Sequence, residues 1–131
     1  MLVGVTDELR QLEYGQRLKY RERNVLSRGP GLSTGRALFE TALTGGAQAL
    51  AQPTVGFQAS SRADIVTLDT THPSLAGRRG DAALDGWIFA ASAGAVDTVW
   101  AGGAKVVEKG RHRLHQKARD MFNATVRRLV A

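Results

Sequence analysis

Apolar residues recur at two interleaved helical phases near the start of the chain. Leu9, Leu12, Gln16 and Tyr20 fall on one face of a helix over residues 6–23, and Tyr14, Leu18 and Val25 on a neighbouring one. Thr6 is placed to cap its start, and Asp7 and Glu8 sit in the first turn, where negative charge suits the helix dipole. Gly15, in the middle, weakens such a helix by about 1 kcal/mol relative to alanine and so marks a close packing contact. Both stripes call for burial, which is more apolar surface than a lone edge helix presents. A partner outside this chain is therefore expected.

Ser27-Arg28-Gly29-Pro30-Gly31 breaks the pattern, and a second helix is predicted from Ser33 or Thr34 to Leu50. Leu38, Phe39, Ala42, Leu43, Ala47 and Leu50 make its apolar face, with Gly45-Gly46 a flat patch for close approach of another backbone. After Gln52-Pro53, Thr54 to Phe57 reads as a turn or short strand. Ile65, Val66 and Leu68, with β-branched Thr67 between them, then form a strand that ends before His72-Pro73. A loop over 70–80 leads to Asp81, a plausible cap, and to a short helix through Ala90 with Leu84, Ile88 and Ala91 inward. Val96 to Trp100, Gly102-Gly103 and Lys105 to Glu108 read as a hairpin, the strongest local signal in the chain, and Gly110 ends its second strand. The last helix, Leu114 to Leu129, aligns Ala118, Met121, Phe122, Val126 (or Thr125) and Leu129 on one face. That stripe is expected to dock, with Lys117, Arg119, Asp120, Arg127 and Arg128 opposite. The order of elements predicts an α+β protein.

Composition adds limits. The 131 residues carry no cysteine, which excludes disulfides and thiolate metal sites. No apolar run approaches the roughly 20 residues that span a bilayer, and Met1 to Val5 lack a basic leader, so a cytoplasmic protein without membrane contact is expected. The net charge of +6 invites a nucleic-acid reading. Most of that charge lies opposite apolar positions at helical spacing, with acidic residues mixed in. It reads as solvated helix faces, and no nucleic-acid partner is expected.

Candidate chemistry is sparse. His112 and His115 stand i, i+3 but beside Arg111 and Arg113, which repel a divalent cation, and Asp120 approaches them only if the last helix starts early. His72, with Asp69 three residues before it, is a possible general base without a nucleophile. Ser27, Ser33, Ser60, Ser61, Ser74 and Ser92 lie in no nucleophile elbow. Asp64, Asp69, Asp81, Asp85 and Asp97 are scattered and read as caps, turns and strand ends. No catalytic, substrate-binding or metal-ligating residue is assigned.

Three segments in this order resemble a known family. They are Glu8 to Leu18 with Arg23-Asn24-Val25-Leu26; Arg62 to Asp69 with His72-Pro73 and Leu75-Ala76-Gly77; and Leu84 to Ala90 followed by Val96 to Val107. Together they resemble the C-terminal part of the metal-dependent amidohydrolase superfamily, and within it the formimidoylglutamate deiminases of histidine degradation. The Glu-Leu-Arg-Gln-Leu-Glu-Tyr-Gly-Gln-Arg-Leu segment is the more specific to that branch. The resemblance implies an enzyme in which a divalent metal, zinc, activates water at the mouth of a (β/α)-barrel, so that a formimino C–N bond is hydrolysed and ammonia leaves.

The resemblance also implies that residues 1–53 are the helical end of the barrel. Residues 54–131 are then the C-terminal half of a β-sandwich, with a helical insertion and a closing helix. The family's metal-binding histidines and aspartate have no counterparts here and are expected upstream of Met1. This chain is therefore expected to bind no metal and to be scaffolding, inactive by itself. Its expected partners are the missing barrel portion or another protein chain, with homo-oligomers expected. Where the family turns into its strand with a glycine, this sequence has Ser60. The competing readings are a fragment of another deaminase of the superfamily and a free-standing basic interaction module.

Overall fold

The computed structural model describes residues 4–52, 54, 56–91 and 93–130. Met1 to Val3, Pro53, Val55 and Ser92, each named in the sequence reading, lie outside the described residues. Four α-helices and a four-stranded antiparallel sheet form an α+β arrangement. They fall into two compact units. One takes the chain up to Arg62 and then Asp69–Ala95, the other Ala63–Leu68 and the chain from Val96 on.

The first unit is helical: α1 (Val5–Tyr20), α2 (Thr34–Ala49) and α3 (Asp81–Phe89), with a 3₁₀ turn at Ala93–Ala95. Its core is Ala37, Leu38, Leu75, Ile88, Ala91 and Ala95. Tyr14 stacks on Phe89 with ring centroids 6.1 Å apart, and Phe39 meets Trp87 edge-on at 6.3 Å. Helix α2 starts at Thr34, within the expected bounds, and Ser33 caps it, its hydroxyl accepting the Arg36 N–H at 2.9 Å.

Three expectations in this unit need correction. Thr6 is not the cap of α1. Gly4 is, its carbonyl accepting the N–H groups of Asp7 and Glu8, and Thr6 lies buried one residue inside the helix. The helix also stops at Tyr20 rather than residue 23, because Arg21 turns left-handed (φ 57) and Asn24 follows suit (φ 55), folding the chain back on α1. At the start of α3 the cap position is Gly80, with Asp81 the first helical residue.

The second unit holds the sheet, in the order β1 (Ile65–Leu68), β2 (Val96–Ala101), β3 (Ala104–Glu108) and β4 (Arg111–His112). Ile65 pairs with Trp100 and Val66 with Val99, and the register slips at Thr67/Leu68. The expected Gly102-Gly103 hairpin is present. Both glycines have positive φ (56 and 81), as a two-residue type I′ turn requires, and Ala101 faces Ala104. The same device recurs at Lys109 (φ 49) and Gly110 (φ 70), so the chain does not end its sheet there but adds β4, which the sequence reading missed. Helix α4 (His115–Val130) closes the unit, but its apolar stripe does not dock: no residue of the helix is buried, and Met121, Phe122 and Leu129 are exposed.

Candidate functional site

The most densely bonded part of the first unit is a polar stripe on α1. Arg10, Glu13 and Arg17 recur at i, i+3 and i+7 and so share one helix face. Arg10 donates from Nε to the Ile88 carbonyl (2.8 Å) and from Nη2 to the Ala91 carbonyl (3.0 Å). These carbonyls lie at the C-terminal end of α3, where helix acceptors lack intrahelical partners and a cation is favoured. Glu13 is fully buried. Its carboxylate accepts from Arg17 Nε at 2.7 Å, Val25 N at 3.0 Å and Leu26 N at 2.9 Å. Arg17 also donates to Asn24 Oδ1 at 3.2 Å and lies over the rings of Tyr14 and Phe89.

A second polar tie joins α3 to the start of α2. Asp85 Oδ1 accepts from the Ser33 hydroxyl at 2.9 Å and from Gly35 N at 2.7 Å. The helices approach so closely that a Cβ on Gly35 would sit 2.9 Å from Asp85 N and 3.0 Å from its Cα. Between these ties lies an open cleft of about 500 Å³, lined in part by Tyr14, Arg17, Asn24, Ser33, Asp81 and Phe89. Its charged groups are engaged by their neighbours, since Asp81 pairs with Arg36 at 2.8 Å while Arg17 and Asp85 are bonded as above. The hydroxyl and carboxylate that meet in the cleft, Ser33 and Asp85, both also bond the start of α2, Ser33 accepting from Arg36 N and Asp85 from Gly35 N.

His72 Nδ1 accepts the Ser74 N–H at 3.3 Å. Asp69 Oδ1 accepts the Thr71 N–H at 2.8 Å and its hydroxyl at 2.6 Å. The Thr71 hydroxyl, then its N–H, and further the His72 ring hold the Asp69 carboxyl below its ordinary value. His112 lies on β4, its Nδ1 accepting the Leu114 N–H at 3.1 Å, and His115 opens α4, both exposed. Asp64 accepts from Gly102 N at 2.7 Å, Asp97 from the Thr98 hydroxyl at 2.9 Å, and Asp120 from Gln116 at 2.9 Å. Ser60 adopts a left-handed conformation at φ 70, the geometry a glycine would supply without strain. Among the described residues, no group of three or more histidine, cysteine, aspartate or glutamate side chains is placed to hold a metal. The described residues therefore offer no such cluster for the metal that the resemblance implies.

The sequence reading missed Arg10, Glu13 and Arg17 because it placed the leucines inward. Their helical spacing was the available signal.

No protein-family model matches the chain. The formimidoylglutamate deiminase of Pseudomonas aeruginosa is 44% identical over 120 residues, which is 92% of this chain and 26% of that protein. The crystal structure of an amidohydrolase from Brucella melitensis superposes with a TM-score of 0.88 at 48% identity, over 99% of this chain and 28% of that one. The atrazine chlorohydrolase TrzN of Arthrobacter aurescens, crystallised with zinc, superposes at 0.70 with 23% identity over 92% of this chain and 25% of its own, a likeness of fold. The chain thus spans about a quarter of the length of the proteins it matches. Along nearly all of its own length it is similar to the C-terminal part of an enzyme of the amidohydrolase superfamily, with formimidoylglutamate deiminase among its relatives.

Proposed function

We propose that this chain is the C-terminal part of a metal-dependent hydrolase acting on the formimino C–N bond of formimidoylglutamate, with release of ammonia. Within that enzyme it is scaffold rather than reaction centre. The observation that carries this is the 44% identity to the Pseudomonas aeruginosa deiminase along 92% of the chain. The scaffold role is supported by the site itself, where Arg10 and Asp85 tie helices together, Glu13 and Arg17 hold the turn after α1, and no described cluster of three or more His, Cys, Asp or Glu is placed to hold a metal. In this reading residues 1–53 are the helical end of the barrel, and residues 54–131 are half of a composite sandwich. The free edge of β1, the first strand in the sheet order, is where missing strands would join.

The test is a chimera in which this chain replaces the matching region of the Pseudomonas aeruginosa deiminase. The chimera is expected to release ammonia from formimidoylglutamate, and the 131-residue chain alone, supplied with zinc, is expected to release none. Activity of the chain alone would end the scaffold reading. A folded chimera without activity would end the deiminase assignment.

A further inference from the structure

We infer that the outward face of α1, centred on Leu12, Gly15 and Leu18, seats a closely packed segment of the polypeptide that precedes this region in full-length relatives. The inference rests on the C-terminal placement proposed above and goes beyond it by naming the contact. Helix α1 is inverted with respect to the usual rule: its buried residues are Thr6 and Glu13, while Leu12 is 51% and Leu18 83% exposed. Its polar stripe is consumed by α3 and by the chain after Tyr20, and among the described residues of the unit Leu12 and Leu18 are left largely uncovered.

Gly15 gives the face its shape. It lies in the helix interior, where glycine is disfavoured, yet a Cβ there would meet nothing within 4 Å. Gly15 leaves a notch one methyl group deep in the lining of a shallow hollow of about 350 Å³, which Gln11, Tyr14 and Leu18 also line and Asp7 and Arg10 rim. A notch of this kind is useful only to a surface that comes closer than a Cβ would permit. The rim pairs one carboxylate with one guanidinium, so it does not select a polyanion or a lipid surface. The occupant follows from length. The Brucella melitensis amidohydrolase superposes on 99% of this chain, which accounts for only 28% of that polypeptide. The rest of such a polypeptide is the surface available to fill the notch.

The experiment compares Gly15→Ala and Gly15→Leu in two settings: the 131-residue chain, and the Brucella melitensis amidohydrolase carrying this chain in place of its matching region. In the chain alone both variants are expected to stay folded, and Gly15→Ala to raise Tm by about 4 °C through helix propensity. In the chimera Gly15→Leu is expected to lower Tm by at least about 5 °C, as overpacking does, and Gly15→Ala to lose its gain. Equal shifts in both settings would overturn the inference. So would a dimer of the 131-residue chain that Gly15→Leu dissociates in sedimentation, since the occupant would then be a second copy. An unmutated chimera that fails to fold would count against the C-terminal placement instead, which separates the two failures.

Discussion

Replacing Glu13 tests whether α1 is held by its polar face. The side chain is fully buried and its carboxylate accepts from Arg17 at 2.7 Å and from the N–H groups of Val25 and Leu26 at 3.0 and 2.9 Å. Alanine would remove all three acceptors at once and leave a cavity. Breaking a buried charge pair costs about 3–5 kcal/mol, most of it from the groups left behind. Arg17 has 29% of its side chain exposed and keeps Asn24, so water can serve it, and the lower end, about 3 kcal/mol, applies. Glu13→Gln keeps one oxygen but turns an NH₂ toward donors, and about 2 kcal/mol is expected. Thermal unfolding followed by circular dichroism should show Tm falling by about 10 °C for Glu13→Ala. Hydrogen exchange at Val25 and Leu26 should accelerate about a hundredfold, while the β2 and β3 amides of the other unit keep their rates. A Tm change under about 3 °C, with Val25 and Leu26 exchange unaltered, would refute the account, because the carboxylate would then not be holding the turn.

Other consequences are checked in the same way. Gly35→Ala should destabilise by at least about 1 kcal/mol despite alanine's better helix propensity, because its Cβ would meet Asp85 backbone at 2.9 Å; a rise in Tm would count against the packing described. Ser60→Gly should stabilise by up to about 1 kcal/mol in urea titration, since the residue already sits at φ 70, and a loss of stability would contradict that geometry. Asp69 should titrate below its ordinary value of 3.8 in carbon-detected NMR. Its contribution to stability is therefore present above that value and is lost as pH falls through the lowered one. Thr71→Val removes the hydroxyl donor and should move the Asp69 midpoint back up, so an unmoved midpoint would disprove the assigned cause.

Much of the secondary structure was legible because it rests on local chemistry. Ser33 acts through its hydroxyl on the N–H groups just after it, paired glycines between β-branched strands act through their own backbone, and the helix start and the turn appear where the pattern places them. The second hairpin turn was hidden because Lys109, not glycine, takes the first left-handed position. The facing of α1 was not legible for a different reason. Apolar periodicity locates a stripe but does not say what covers it, and here Arg10, Glu13 and Arg17 find partners among the described residues while Leu12 and Leu18 stay exposed. Helix α4 repeats the lesson, with a clean apolar face and no buried residue.

Glycine shows most sharply where such reading stops. In the sequence, Gly15 and the Gly45-Gly46 pair stand inside helical patterns and invite the same explanation, close packing, whereas Gly35 stands at a helix start and invites none. The structure reverses the assignment. A Cβ at Gly15, Gly45 or Gly46 would meet nothing within 4 Å, while one at Gly35 would strike Asp85, and one at Gly86 would lie 2.9 Å from the Ser74 carbonyl. Gly35 and Gly86 are thus explained by contacts inside the first unit. The open glycines cost helix propensity without return there. A cost that recurs on α1 and α2, beside exposed Leu12, Leu18 and Leu50, is what surfaces shaped for close approach would show when their counterpart is absent. The same substitution therefore carries opposite signs at the two classes of site. Alanine should stabilise this chain at Gly15, Gly45 and Gly46 and destabilise it at Gly35 and Gly86.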